Sequence, residues 1–246
     1  MLFKKKKVIK LSEESIVVDS NNKRTSKGYS RLRDNILYLN YDGKHKVIQI
    51  ASSLMHEGKT SLCGNLAVSL GYAEKKIIVL DLDFRRPRTH RVFGMKRERG
   101  LGEFFIGKLT KEEIIKHTKY KNVDIVTSGQ DVYNPAMVLM SDKFKNFIAE
   151  LREEYDYVLI DTAPILQVSD FIHISKVSDG VLLLVAYGKT TRSQLTGAVK
   201  ELKSGNIPIL GTVFTMYDKK YDVSYSDYGK YYGEEYADIP SESNKK

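Results

Sequence analysis

The stretch Ile50-Ala51-Ser52-Ser53-Leu54-Met55-His56-Glu57-Gly58-Lys59-Thr60-Ser61 constrains the fold of this chain more than any other. It follows the apolar run Val47-Ile48-Gln49-Ile50 and leads into residues 62–72, whose spacing reads as a helix. Strand, loop, then Gly-Lys-Thr opening a helix is the setting in which that triplet cradles phosphate. Backbone N–H groups at the helix start face the anion, Lys59 adds a mobile positive charge, and the Thr60 hydroxyl can ligate Mg²⁺. Ser53, Glu57, Gly58, Lys59, Thr60 and Ser61 are therefore the candidate nucleotide-binding set. The match to the full pattern is incomplete, because its first glycine falls at Ser53. An ordinary strand-to-helix connection with an exposed lysine gives the same triplet, so the surrounding sequence has to decide.

Around this loop, strands and helices alternate. The patterns predict a helix over 28–40 and strands at 47–51, 77–82, 123–127, 157–161, 180–186 and 208–215. Helices are predicted at 61–73, 112–118, 141–154, 170–177 and 191–203. The strands are rich in Val, Ile and Leu without apolar/polar alternation, as expected of strands buried on both faces. That is an α/β chain of P-loop NTPase type, a mostly parallel sheet with helices on both faces. Its ligands belong along the edge where the strand C-termini lie. Residues 1–27 lack periodicity and read as a basic arm, 28–216 as the folded domain, and 217–246 as a flexible tail. The tail holds seven tyrosines within residues 217–236, set among Asp, Gly, Ser and Lys.

With 246 residues, 41% of them hydrophobic, the chain suffices for one large α/β domain. Its longest apolar run, 181–187, is far short of the roughly 20 residues that cross a bilayer. No secretory leader is recognisable, so an intracellular protein is expected. The single cysteine, Cys63, reads as a buried, inert thiol. Part of the net charge of +9 comes from Lys4, Lys5, Lys6, Lys7 and Lys10. Such a run is either a solvated tail or a contact for acidic lipid headgroups or an acidic partner. No nucleic-acid-binding module is recognisable, and nucleic acid is not an expected partner.

Two apolar runs end in acids, Ile77-Ile78-Val79-Leu80-Asp81-Leu82-Asp83 and Val158-Leu159-Ile160-Asp161. One strand-end acid could simply cap the next helix. Two of them beside Gly-Lys-Thr favour a site for Mg²⁺ and nucleotide, since Mg²⁺ needs only one or two carboxylates besides phosphate and water. A P-loop, a run ending Asp-x-Asp-x-Arg and one ending Asp-x-x-Pro together resemble the bacterial tyrosine kinases of capsule and exopolysaccharide synthesis. More specifically, the chain is similar to the soluble Gram-positive-type kinase subunit. Asp83-Phe84-Arg85-Arg86-Pro87, Gly100-Leu101-Gly102, Asn134-Pro135 and Asp179-Gly180-Val181 carry the likeness onward, and the tyrosine-rich tail completes it.

The resemblance implies an ATP-dependent autokinase. Lys59 would bind phosphate, Asp81 would accept the tyrosine proton, and Thr60, Asp83 and Asp161 would hold Mg²⁺. Tyr221, Tyr225, Tyr228, Tyr231, Tyr232 and Tyr236 would accept phosphate. The implied partners are a transmembrane adaptor of polysaccharide export, a cognate tyrosine phosphatase and further copies of the chain. The implied location is the inner face of the cell membrane, reached through the adaptor. Departures from the family pattern are His56 in place of a glycine, Met55 in place of proline, and Thr215 in place of an asparagine that reads the base. In the first helix Lys27 replaces an acid and Ser30 an arginine, while Arg33 and Asn35 are kept, so a weakened homo-oligomer is expected. Two other functions fit the same sequence. A partition- or positioning-type ATPase would carry a lysine at Leu54; a nucleotide-binding regulatory module that docks on a membrane partner would not need activity.

Overall fold

The structure of the protein, a computed structural model, describes residues 16–18 and 23–217. The tyrosines from Tyr221 to Tyr236 and the N-terminal lysines lie outside them.

The strands β1 (Val47–Ser52), β2 (Ile77–Asp81), β3 (Lys116–His117), β4 (Val123–Val126), β5 (Tyr157–Asp161), β6 (Gly180–Ala186) and β7 (Ile209–Thr215) form one sheet. Their order is β3-β4-β2-β5-β1-β6-β7. Every pairing is parallel except that of β3 with β4. Parallel neighbours need long crossovers, and α2 (Lys59–Gly71), α7 (Asp142–Glu154), the short α8 (Asp170–Ser175) and α9 (Arg192–Ser204) lie on them. Alternate residues of one strand feed opposite cores. Ile77 and Val79 face the cluster around α2, whereas Ile78 and Leu80 face Phe144, Phe147, Ile148 and Leu151 of α7. Each such side chain, once fully buried, contributes about 1.5–3 kcal/mol. This two-sided burial is why these strands read as unbroken apolar runs.

Four expectations are corrected. The helix predicted over 112–118 stops early: α5 (Lys111–Ile114) is capped by the Thr110 hydroxyl, and Ile115 turns to extended backbone. Lys116 and His117 then pair with Ile125 and Asp124 as an antiparallel edge. Next, β7 is not buried on both faces, because it ends the sheet and leaves Phe214 67% exposed. The helix α1 (Lys23–Leu39) begins earlier than residue 28, inside the expected arm. Finally, residues 16–18 are docked rather than free. Ile16 is buried against α2, and the Val17 and Val18 N–H groups donate to Asn65 Oδ1 at 2.7 and 3.2 Å. Three residues are too few to show a period.

Short elements absent from the sequence prediction are α3 (Thr89–Val92), α4 (Leu101–Phe105) and α6 (Pro135–Met140). Gly100 and Gly102 let α4 lie against the segment after β4. The Leu101 and Gly102 N–H groups donate to the Thr127 and Ser128 carbonyls at 2.9 and 2.8 Å. A Cβ at Gly100 would run into the Thr127 carbonyl.

Candidate active site

The phosphate loop leaves β1 at Ser52 and enters α2 at Lys59, with Gly58 in the left-handed region at φ 97°. His56 also sits there, at φ 63°, a conformation that glycine adopts at no steric cost. The loop thus keeps a glycine-like path at His56 despite its side chain. Ser53 has no positive φ, so the serine at the pattern's first glycine carries no such strain.

Neighbouring elements hold the loop in place. The buried Glu57 carboxylate accepts from the Leu54 N–H at 3.2 Å and from the Thr190 hydroxyl at 2.7 Å. Thr215 at the end of β7 donates its hydroxyl to the Glu57 carbonyl at 2.7 Å, and Lys189 donates to the His56 carbonyl at 2.6 Å. Lys59 is folded back, with Nζ donating to Ser52 Oγ at 2.9 Å. Burial pulls its pKa down, while the charges of Asp161, Asp83 and Glu57 act to keep it protonated.

The strand register sets Asp81 directly beside Asp161. Both carboxylates are fully buried or nearly so, and each leaves its Oδ1 without a hydrogen-bond partner among the described residues. Thr89 at the start of α3 bridges them: its N–H donates to Asp81 Oδ2 at 3.0 Å and its hydroxyl to Asp161 Oδ2 at 3.3 Å. Burial raises the pKa of both. For Asp81 the neighbouring Asp161 adds to the rise; for Asp161, Lys59 and the Thr60 hydroxyl oppose it. Asp83 lies farther out, where Oδ1 accepts from the Arg86 N–H at 3.0 Å.

The phosphate loop and Asp83 border a cavity of about 990 Å³ at the strand C-termini. Gly58, Lys59, Thr60, Ser61 and Asp83 line it. Ser53, Glu57, Asp81 and Asp161 do not; they form the layer beneath its floor. The Glu57 side chain faces inward and serves the loop, because a buried carboxylate needs donors and finds them there. Cys63 is buried as expected, and burial pushes its thiol pKa well up.

Sequence reasoning missed Ser52, Thr89 and Thr190. Thr89 and Thr190 act through pairings across the fold and Ser52 through the path of the loop itself, and a lone Ser or Thr gives no signal of either. It also left unused the cations Arg88, Arg91 and Lys96 in the cavity wall.

Unpaired buried carboxylate oxygens at the strand ends, a lysine parked on a hydroxyl and a helix N-terminus facing a cavity together suit Mg²⁺ and a nucleotide. Among the described residues no three His, Cys, Asp or Glu side chains converge into a self-sufficient metal cage. Magnesium sites completed by substrate phosphates do not need one.

A family model described as an AAA domain matches residues 45–208. The chain is 32% identical over 233 residues to "Tyrosine-protein kinase YwqD" of Bacillus subtilis, covering 95% of this chain and 97% of that protein. It is 31% identical over 212 residues to "Putative tyrosine-protein kinase CapB" of Staphylococcus aureus, covering 85% and 91%. The solved chimerical protein CapA2B2 superposes with a TM-score of 0.80 at 27% identity, over 83% of this chain and 91% of that one. The septum site-determining protein MinD of Pyrococcus horikoshii, complexed with Mg-ADP, shares the fold at a TM-score of 0.59 and 24% identity, over 69% and 70%. The motifs, the site beneath the loop and these likenesses agree: the chain belongs to the bacterial tyrosine-protein kinases, within the AAA-domain P-loop proteins.

Proposed function

We propose that this chain is an ATP-dependent tyrosine autokinase that phosphorylates its own C-terminal cluster and regulates capsular or exopolysaccharide synthesis and export. The observation that carries the reading is the meeting of Lys59, Thr60 and Asp83 on the wall of one cavity, with the paired, buried Asp81 and Asp161 in the layer beneath. Phosphoryl transfer needs positioning and charge neutralisation more than covalent chemistry from the protein. The α2 N-terminus and Lys59 would bind the nucleotide phosphates, the ammonium swinging off Ser52. Thr60, Asp161 and Asp83 would hold Mg²⁺, which when bound supplies further neutralisation of phosphate charge.

A tyrosine hydroxyl has a pKa near 10 and transfers more readily when a carboxylate accepts its proton. Asp81, with a raised pKa and a free Oδ1, is chemically suited to this. One observation favours a second assignment: Asp81 is fully buried and held by Thr89, whereas Asp83 faces the cavity. In that reading Asp83 accepts the proton and Asp81 anchors α3.

The acceptors would be Tyr221, Tyr225, Tyr228, Tyr231, Tyr232 and Tyr236. Among the described residues no helix is long and apolar enough to cross a membrane. A transmembrane adaptor would bring the kinase to the inner face of the membrane, and a cognate phosphatase would reverse the reaction. The partition-type ATPase reading is disfavoured by Leu54, which stands where that class carries a lysine. An inactive docking module would bind nucleotide without labelling itself.

The test is self-labelling with Mg-ATP, with and without the adaptor's cytoplasmic peptide, mapped by phosphotyrosine. Lys59→Met should suppress the label by at least about a hundredfold, the scale of losing a transition-state charge contact. Asp81→Asn and Asp83→Asn, compared at several pH values, identify the base as the one whose loss removes the rate's acidic limb. Undiminished labelling in Lys59→Met would sink the kinase assignment.

A further inference from the structure

Beyond the phosphate loop, the cavity has a cationic wall on its α3 side. Arg88 and Arg91 line it together with Lys96, and Asp83 is the one acid among the described lining residues. The other two arginines there are engaged. Arg85 pairs with the buried Asp170 at 3.2 Å, and the Arg86 guanidinium lies 3.3 Å from Met55 Sδ. Arg88 and Arg91 have no carboxylate partner among the described residues. The positive charge of Arg88 reaches His56, whose pKa is lowered by burial first and then by Arg88, Lys189, Arg86 and Lys59.

Packing keeps the wall still. Val92 and Phe93 press on α2 at Gly64, where an added Cβ would lie 2.6 Å from Val92 Cγ1. At the other end, Thr89 N–H holds Asp81. Arg88 is therefore the residue next to the link between α3 and the buried carboxylates. Nucleotide phosphates have their own place at the α2 N-terminus and Lys59. Two unpaired guanidiniums farther along the wall call for a second source of negative charge.

The chain's own tail has the matching chemistry. Residues 221–238 contain five carboxylates, Asp222, Asp227, Glu234, Glu235 and Asp238, against one lysine, Lys230. An acid adjoins Tyr221, Tyr228 and Tyr236 directly. The tail also starts at the cavity, because Met216 is a lining residue. We propose that Arg88 and Arg91 are specificity-determining residues that select tyrosines flanked by carboxylates, with the acidic segment 221–238 of this chain as the first such substrate. This rests on the kinase reading above and adds to it the class of peptide accepted. Guanidinium forks pair with carboxylates through charge-assisted, often bidentate hydrogen bonds, which is why arginine rather than lysine suits this wall.

The test separates binding from catalysis. Two fluorescent peptides of residues 221–238 are titrated with the full chain and followed by anisotropy: the native one, and one with all five acids changed to amides. The native peptide should bind about tenfold more tightly. In Arg88→Gln/Arg91→Gln that preference should vanish, with Mg-ADP binding kept as proof of an intact fold. Arg88→Lys/Arg91→Lys, which keeps the charges and loses the forks, should retain only part of it. Equal binding of the two peptides to the unaltered protein would overturn the proposal, as would a preference that survives the Gln pair. If the preference is present but no phosphate is transferred to the native peptide, the wall stands and the kinase reading falls.

Discussion

At the scale of single residues, the site holds conformations and charges that the free energy of folding must offset. His56 at φ 63° is one. A non-glycine residue in the left-handed region costs on the order of 1 kcal/mol or more, and a β-branched residue is worse. His56→Val should lower the unfolding free energy by about 1–2 kcal/mol, whereas His56→Gly should stay within about 1 kcal/mol of the original; urea denaturation measures both. The buried carboxylates are the other case. Burial lifts the Asp161 pKa from 3.8 to about 6, against the opposing pull of Lys59 and Thr60. The folded state then binds the proton more tightly than the unfolded chain does. Stability contributed by this group therefore falls as pH rises between about 3.8 and about 6 and levels off above that. Without Mg²⁺ or nucleotide, Asp161→Asn should remove that component, so the gain in stability over the original protein should grow from pH 4.5 to pH 7. A constant difference across this range, measured by denaturation at each pH, would contradict the raised pKa.

At the scale of elements, the phosphate loop is held from outside itself. The β6–α9 connection reaches it through Lys189 and Thr190, the end of β7 through Thr215, and α3 ties the two acidic strands together through Thr89. On the opposite face of α2, Asn65 fastens residues 16–18. Its Oδ1 takes two backbone N–H groups, and its Nδ2 donates to the Ser61 carbonyl at 2.8 Å. Asn65→Ala leaves those N–H groups to find water or stay unpaired, at a cost of about 1–3 kcal/mol. Thermal unfolding should show the loss, and protease cleavage ahead of α1 should quicken as the docked residues come free.

At the scale of the whole molecule, the question is how copies and tail relate to the site. Deleting residues 217–246 removes every proposed acceptor but leaves the phosphate loop and its supports, so self-labelling should disappear while Mg-ADP binding stays within about twofold by calorimetry. Loss of nucleotide binding in that truncation would assign the tail more than a substrate role. The solvent side of α1 bears on assembly. Lys27 and Asn35 are exposed, Ser30 donates back to the Ser26 carbonyl at 3.1 Å, and Arg33 pairs with its neighbour Asp34 at 2.8 Å. Exposed ion pairs contribute about 0–1 kcal/mol each, yet a closed ring repeats every loss at each interface. The protein should be monomeric at low micromolar concentration by light scattering, and Lys27→Glu/Ser30→Arg should shift it towards larger assemblies. A stable ring of the unaltered protein under those conditions would count against the role given to α1.

The sequence by itself determined the sheet and the chemistry at its edge. Strands buried on both faces leave unbroken apolar runs, and a helix that opens with Gly58-Lys59-Thr60 leaves a local pattern, so the strands from β1 to β6, apart from short β3, were legible within a residue or two. Asp81, Asp83 and Asp161 were legible because each follows such a run. The tertiary structure alone decided how those residues face. Asp81, Asp161 and Glu57 lie beneath the cavity floor while Asp83 opens into it, a distinction made by Thr89 and Thr190, which arrive from other parts of the chain, and by the Leu54 N–H within the loop itself. It also decided that β7 would be an edge, that Lys116 and His117 would pair with β4 rather than continue a helix, and that Ile16 would be buried. Each of these depends on a partner outside the segment itself. Periodicity reports only whether a segment meets apolar surroundings on one side or two, not which partner supplies them.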